Sequence, residues 1–178
     1  EKDRAYSKQL EKNIFLGEYK ERVIAALTKE EVEEKGVYKE IIQALKTKEA
    51  KNLKIARDIE FSKIKDYVAE AEKIGINYQL VDVLSYSGNI GLVVSADDAL
   101  ENPVENPIIK SVPERFREKG LADIYYESMG EKICEFHKNV IHDELPEFES
   151  KYRDITLIDK VLGVKCPIDE KLGGKKRG

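Results

Sequence analysis

LGEYKERVIAALTKEEV, residues 16–32, can be read as one long amphipathic helix or as a strand that stops where a helix begins. The two readings give different folds. Thr28 and Glu31 separate them, because they stand in the S/T-x-x-E spacing of a capping box. In that motif the threonine hydroxyl accepts the N–H of the third helical residue, and the glutamate reaches back to the amide of the cap. A helix therefore starts at Thr28, and the apolar run RVIAAL, 22–27, lies before it. A run of that length ending at a cap suits a buried strand, although its alanines are poor strand formers.

Downstream, Val32, Tyr38, Ile41, Ile42 and Leu45 form a helical apolar stripe that Gly36 divides in two. NLKIARD alternates, with Leu53, Ile55 and Ala56 facing inward as a second strand. Asp58 is expected to cap the next helix, whose apolar positions Phe61, Ile64, Val68, Ala71 and Ile74 recur every three or four residues. Gly75 is placed to end it. INYQLVDVL (76–84) reads as a third strand, SGN (87–89) as a turn, and IGLVVSA (90–96) as a fourth, buried strand. The pattern predicts an α/β fold of order βαβαββ. Its four-stranded mixed sheet carries helices on it, and the last two strands are expected to form a hairpin. With an N-terminal helical lead-in, this domain spans residues 1–102.

Three segments carry a resemblance: FLGEYKERVIAALTKEEV, VYKEIIQAL and IGLVVSADDAL. In wording and order, over roughly residues 13–100, the chain resembles the YueI-like family, small bacterial proteins of unknown function. The resemblance implies a fold similar to that of the L30e and L7Ae ribosomal proteins and the Bacillus-type chorismate mutases. It implies a fold more firmly than a function, and it brings no catalytic residues to this chain.

Beyond Ala99 the character changes. LENPVENPIIKSVPE (100–114) holds three prolines and two Asn-Pro steps, and reads as a linker or an extended edge segment. ERFREKG, GEKICEFHKNVIHDEL and TLIDKVLG follow as short helices, with Ile133, Phe136, Val140, Ile141 and Leu145 in one stripe. Residues 103–170 are thus expected to form a helical extension. The tail KLGGKKRG (171–178) is basic and expected to be flexible.

The 178 residues are 41% apolar and 37% charged, with a net charge of −4. That overall balance draws the chain to neither nucleic acid, DNA included, nor acidic membranes. No apolar run approaches the roughly 20 residues of a membrane span. The opening EKDRAYSKQLEKN is charged and does not read as a signal peptide. Cytoplasmic, reduced cysteines are the corresponding expectation.

Four constellations bear on chemistry. Cys134, His137, His142 and Cys166 are all the cysteines and histidines of the chain, gathered in one segment. Thiolate and imidazole are zinc ligands, and four of them suit a tetrahedral site. Cys134 and His137, three apart, share a helix face, whereas His142 falls one residue off the clean spacing. Without a C-x-x-C pair, buried structural cysteines are the alternative, and Cys–His nucleophilic catalysis is a further one. Zinc is the only cofactor this chemistry suggests.

Lys46, Lys48, Lys51, Lys54 and Arg57 oppose a single Glu49, and such a patch can bind RNA phosphates. No aromatic residue is interleaved for base stacking, and the acidic TKEEVEE lacks the Asn-Glu pair of L7Ae-type proteins. A solvated lysine edge that discourages aggregation is the competing reading. Asp97, Asp98, Glu101 and Glu105 could hold a metal or do acid–base work, or simply cap a turn. Gly88 and Gly91 flank a turn and do not form a phosphate loop.

These observations point to a non-enzymatic binding or regulatory module acting through a protein partner. The alternatives are an RNA-binding module and a small enzyme with a site between subunits. A partner-binding protein is expected to expose an apolar patch on the C-terminal extension.

Overall fold

The computed structural model describes residues 2–34, 36–82 and 88–174. The chain divides into two units, Glu1–Ile109 and Lys110–Gly178. In the first, the elements in order are α1 (Lys2–Ile14), a 3-10 turn (Lys20–Arg22), β1 (Val23–Thr28), α2 (Lys29–Glu33), α3 (Lys39–Leu45), β2 (Asn52–Ala56), α4 (Phe61–Ile74), β3 (Asn77–Val81) and β4 (Ile90–Ser95). The capping box forms as its spacing requires. The Thr28 N–H donates to Glu31 Oε2 at 2.8 Å, and the Thr28 hydroxyl accepts the Glu31 N–H at 3.3 Å. The strand therefore stops at Thr28. Gly36, at φ +100°, takes a left-handed conformation that other residues rarely adopt, and separates α2 from α3.

The sheet is mixed and four-stranded, in the order β1-β4-β2-β3. β4 runs antiparallel to both β1 and β2, whereas β2 and β3 are parallel. The expected β3–β4 hairpin is therefore wrong. All six residues of β4 are buried, but β3 is exposed at Asn77, Tyr78 and Gln79. A strand apolar on both faces needs neighbours on both sides and layers above and below, so β4 takes an interior place and β3 the edge. On the other flank of β1, the Ala26 N–H donates to the Pro107 carbonyl at 2.8 Å, and the Ile109 N–H donates to the Ala26 carbonyl at 2.9 Å. Residues 107–109 of the proline-rich stretch thus lie along β1 as an extended edge, where a residue without an N–H is tolerated.

Two local expectations also change. Glu60, not Asp58, precedes α4, and Asp58 instead pairs with Lys29. The buried face of α4 is Ile64, Tyr67, Val68 and Ala71, while Phe61 and Ile74 at its ends are exposed. Tyr67 replaces them because its hydroxyl finds a buried donor, the Tyr38 N–H at 3.0 Å. Gly75 ends the helix at φ +83°. Residues 83 and 84 of the expected third strand, Ser87 of the expected turn, and residues 175–178 of the tail lie outside the described residues.

The second unit contains α5 (Val112–Glu118), α6 (Asp123–Glu127), β5 (Lys132–Ile133), α7 (Glu135–Glu144), a 3-10 turn (Pro146–Lys151), β6 (Arg153–Asp154), α8 (Leu157–Val161) and α9 (Pro167–Leu172). β5 and β6 pair in parallel, a two-stranded element that the reading as helices missed. Phe116, Tyr125, Ile133, Ile141, Tyr152 and Ile168 are among its buried core residues. Phe136, expected in the apolar stripe, is exposed, since the helix starts only at Glu135 and turns that side outward. Among the described residues no helix is long and apolar enough to cross a membrane.

Gly91 shows how tightly β4 is enclosed. A Cβ there would stand 2.9 Å from the Lys29 Cα and 2.8 Å from the Ile59 Cδ1, so α2 starts directly against the strand backbone. Gly91→Ala should destabilise the protein by about 1–3 kcal/mol, the usual cost of overpacking. Urea unfolding checks this, and an unchanged midpoint would show that the α2 start is free to yield.

Candidate functional site

The C-terminal unit brings three of the four expected zinc ligands together. Cys134 follows β5 and occupies the cap position of α7, which places His137 in the first turn of that helix. Cys166 caps α9, whose first residue, Pro167, is preset for a helical start. The His137 Nδ1 lies 3.1 Å from the Cys134 Sγ and 3.6 Å from the Cys166 Sγ. All three ligand atoms fall within 4.8 Å of one another. His137 and Cys166 are buried, and Cys134 is partly open to solvent. The rings of Tyr125 and Phe136 meet the imidazole edge-on and fix its plane. Burial pushes the Cys134 thiol up, the neighbouring Cys166 adds to this, and the His137 N–H pulls the other way.

His142 does not join the cluster. Its Nδ1 lies 2.8 Å from the Glu149 Oε2 on the exposed side of α7, and that carboxylate raises its pKa. The physical reason is angular: five residues on from His137, a helical side chain points well away from the first.

The same unit carries an unusual helix. Thr156 and Asp159 form a second capping box at the start of α8. The Thr156 N–H donates to Asp159 Oδ2 at 2.9 Å, and the Lys132 ammonium donates to its Oδ1 at 2.6 Å. This pair ties α8 to β5. With Asp159 turned in, the apolar side chains are turned out. Leu157, Ile158, Val161 and Leu162 are 80%, 72%, 87% and 74% exposed. Such a run of large apolar side chains is uncommon on the surface of a monomer. Lys160 and Lys165 are exposed beside it. Sequence reading found the helix but not Asp159 or Lys132. The T-x-x-D spacing at 156–159 was the available signal for the first.

The residues of the expected basic patch have different partners. Lys54 pairs with the buried Glu18 at 2.6 Å, and Arg57 donates to the Leu80 carbonyl at 3.3 Å. Lys46 is exposed at the end of α3. Lys48 and Lys51 line an open cleft of the N-terminal unit together with Asp97, Asp98 and Glu101. Asp97 accepts from the Asn52 side chain at 2.9 Å, and Glu105 is not among the residues lining the cleft. The cleft is open and its walls carry charges of both signs.

Comparison with known proteins supplies the family. A family model described as "Protein of unknown function (DUF1694)" matches residues 3–105. The chain is 32% identical over 90 residues to "Uncharacterized protein YueI" of Bacillus subtilis (strain 168), a match covering 51% of this chain and 68% of YueI. The crystal structure of the YueI protein from Bacillus subtilis superposes with a TM-score of 0.52 at 26% identity. It covers 62% of this chain and 93% of YueI's chain. The family model ends at residue 105, ahead of the unit that holds the thiol–imidazole cluster and α8.

The Asp159 carboxyl is held down at about 2, first by the Lys132 ammonium and then by the N–H and hydroxyl of Thr156. A depressed carboxylate stabilises the fold fully above its unfolded pKa, roughly 3.9, and loses that contribution as pH falls through the folded value. Amide exchange across residues 157–162 should therefore quicken as pH is lowered from about 5 toward about 2, after correction for intrinsic rates. In Asp159→Asn the helix should be looser already at neutral pH, with a flatter acid response. Equal acid responses in both proteins would remove Asp159 as the anchor of α8.

Proposed function

We propose a function on the premise that the chain belongs to the DUF1694 family of proteins of unknown function. It is a non-enzymatic binding module that docks a protein partner through α8. The observation that carries this reading is the exposed set Leu157, Ile158, Val161 and Leu162, displayed on a helix whose one acidic side chain is tied inward. Burying each side chain contributes roughly 1.5–3 kcal/mol before the costs of association. Four of them support a complex of moderate, reversible affinity.

The spacing of these residues suits a helix laid into a groove. The exposed Lys160 and Lys165 favour a partner whose apolar groove has an acidic rim. Lys165 is only loosely compensated, at 3.6 Å from Glu170. RNA binding and catalysis have less support, because the lysines are dispersed among acids and the cleft beside them is open.

Leu157→Asp combined with Val161→Asp tests the reading. Both side chains are exposed, so unfolding should change by no more than about 0.5 kcal/mol. The wild-type chain should recover a discrete protein from its source cells, the reciprocal capture should succeed, and the double variant should lose it. Identical recoveries with both chains would overturn the reading. So would closure of the same face by self-association in sedimentation velocity, or by binding to anionic lipid vesicles.

A further inference from the structure

We propose that Cys134, His137 and Cys166 bind one zinc ion, which staples the C-terminal unit. Zinc bonds to sulfur at about 2.3 Å and to nitrogen at about 2.0 Å, so ligands in a tetrahedral shell stand on the order of 3.5 Å apart. The two sulfur–nitrogen separations here, 3.1 and 3.6 Å, lie on either side of that value. The two sulfurs lie within 4.8 Å of each other, against about 3.8 Å in such a shell, so admitting the ion needs the thiols to close by no more than about 1 Å. Two thiolates and an imidazole form a soft donor set that favours zinc over magnesium or calcium. Binding releases one proton from each thiol, and the resulting charges balance the dication. The partly open Cys134 gives the ion a route in and leaves the fourth position to water.

The placement explains what the ion would do. The ligands sit at the starts of two helices, α7 and α9, and the chain between them carries the 3-10 turn, β6 and α8. A bond across this cluster closes that loop at its roots. Lys110–Gly178 has its own core but is small, and units below roughly 70–80 residues commonly need a disulfide or metal to hold them. The edge-on contacts of Tyr125 and Phe136 with His137 set the imidazole in place before metal arrives. The site stands independently of what docks on α8.

Cobalt and zinc titrations of the whole chain, metal-free and fully reduced, test this. One equivalent of cobalt should give thiolate-to-metal charge transfer and the visible bands of tetrahedral cobalt. Zinc should then displace it and raise the thermal midpoint. Cys134→Ser and Cys166→Ser should each weaken zinc binding by more than about 100-fold, exceeding the usual effect of losing a residue behind the ligands. His142→Ala should bind as the wild type does. Absence of a stoichiometric cobalt spectrum in the wild type would overturn the proposal, and that result does not depend on any variant folding. Zinc affinity unchanged in both serine variants, with circular dichroism confirming that they fold, would also overturn it.

Discussion

Both faces of β4 are closed, and the architecture of the N-terminal unit follows from that constraint. Ile90–Ser95 is buried along its full length. It therefore requires a strand on each side, and it finds β1 and β2, both antiparallel to it. Among the described residues β3 pairs with β2 alone and takes the polar edge. The close approach of Lys29 to Gly91 belongs to the same arrangement. The capping box ends β1 where α2 must turn across β4, and a β-carbon at position 91 would block that turn.

The C-terminal unit is organised on a different principle. Its core is small, and specific polar ties supplement it. Tyr152 donates from a buried hydroxyl to the Tyr125 carbonyl, Lys132 holds Asp159, and a thiol–imidazole cluster joins the starts of α7 and α9. These ties fix short helices that packing alone would hold weakly. They also fix which side of α8 is turned away from the core. Asp159 can face inward because Lys132 and Thr156 satisfy both of its oxygens, and the outward side of the helix is then apolar.

Local chemistry was the legible part of the sequence. Thr28 and Glu31 announce a helix start because their hydrogen bonds close within four residues, and Gly36 and Gly75 act just as locally. The family resemblance read from 13–100 agrees with the match over residues 3–105. Strand order was not legible. A turn-like SGN suggested a hairpin, but the pairing of β4 with β1 and β2 is set by burial across the whole sheet, which no window of sequence contains. The candidate site divides in the same way. Three of its residues could be grouped by chemistry, whereas exclusion of His142 depends on the direction in which one helix faces. The apolar side of α8 could be seen as periodic, but periodicity does not say whether a stripe is covered.

The claim on which the functional account rests is that this stripe is open to water in the free protein. The most direct measurement is methyl relaxation by a soluble paramagnetic probe in the isolated chain. Methyl groups of Leu157, Ile158, Val161 and Leu162 should relax strongly, while those of the buried Val140 and Ile141 in the same unit should barely respond. Weak relaxation at the α8 methyls, matching that of Val140 and Ile141, would show the stripe already covered and contradict a docking role for it.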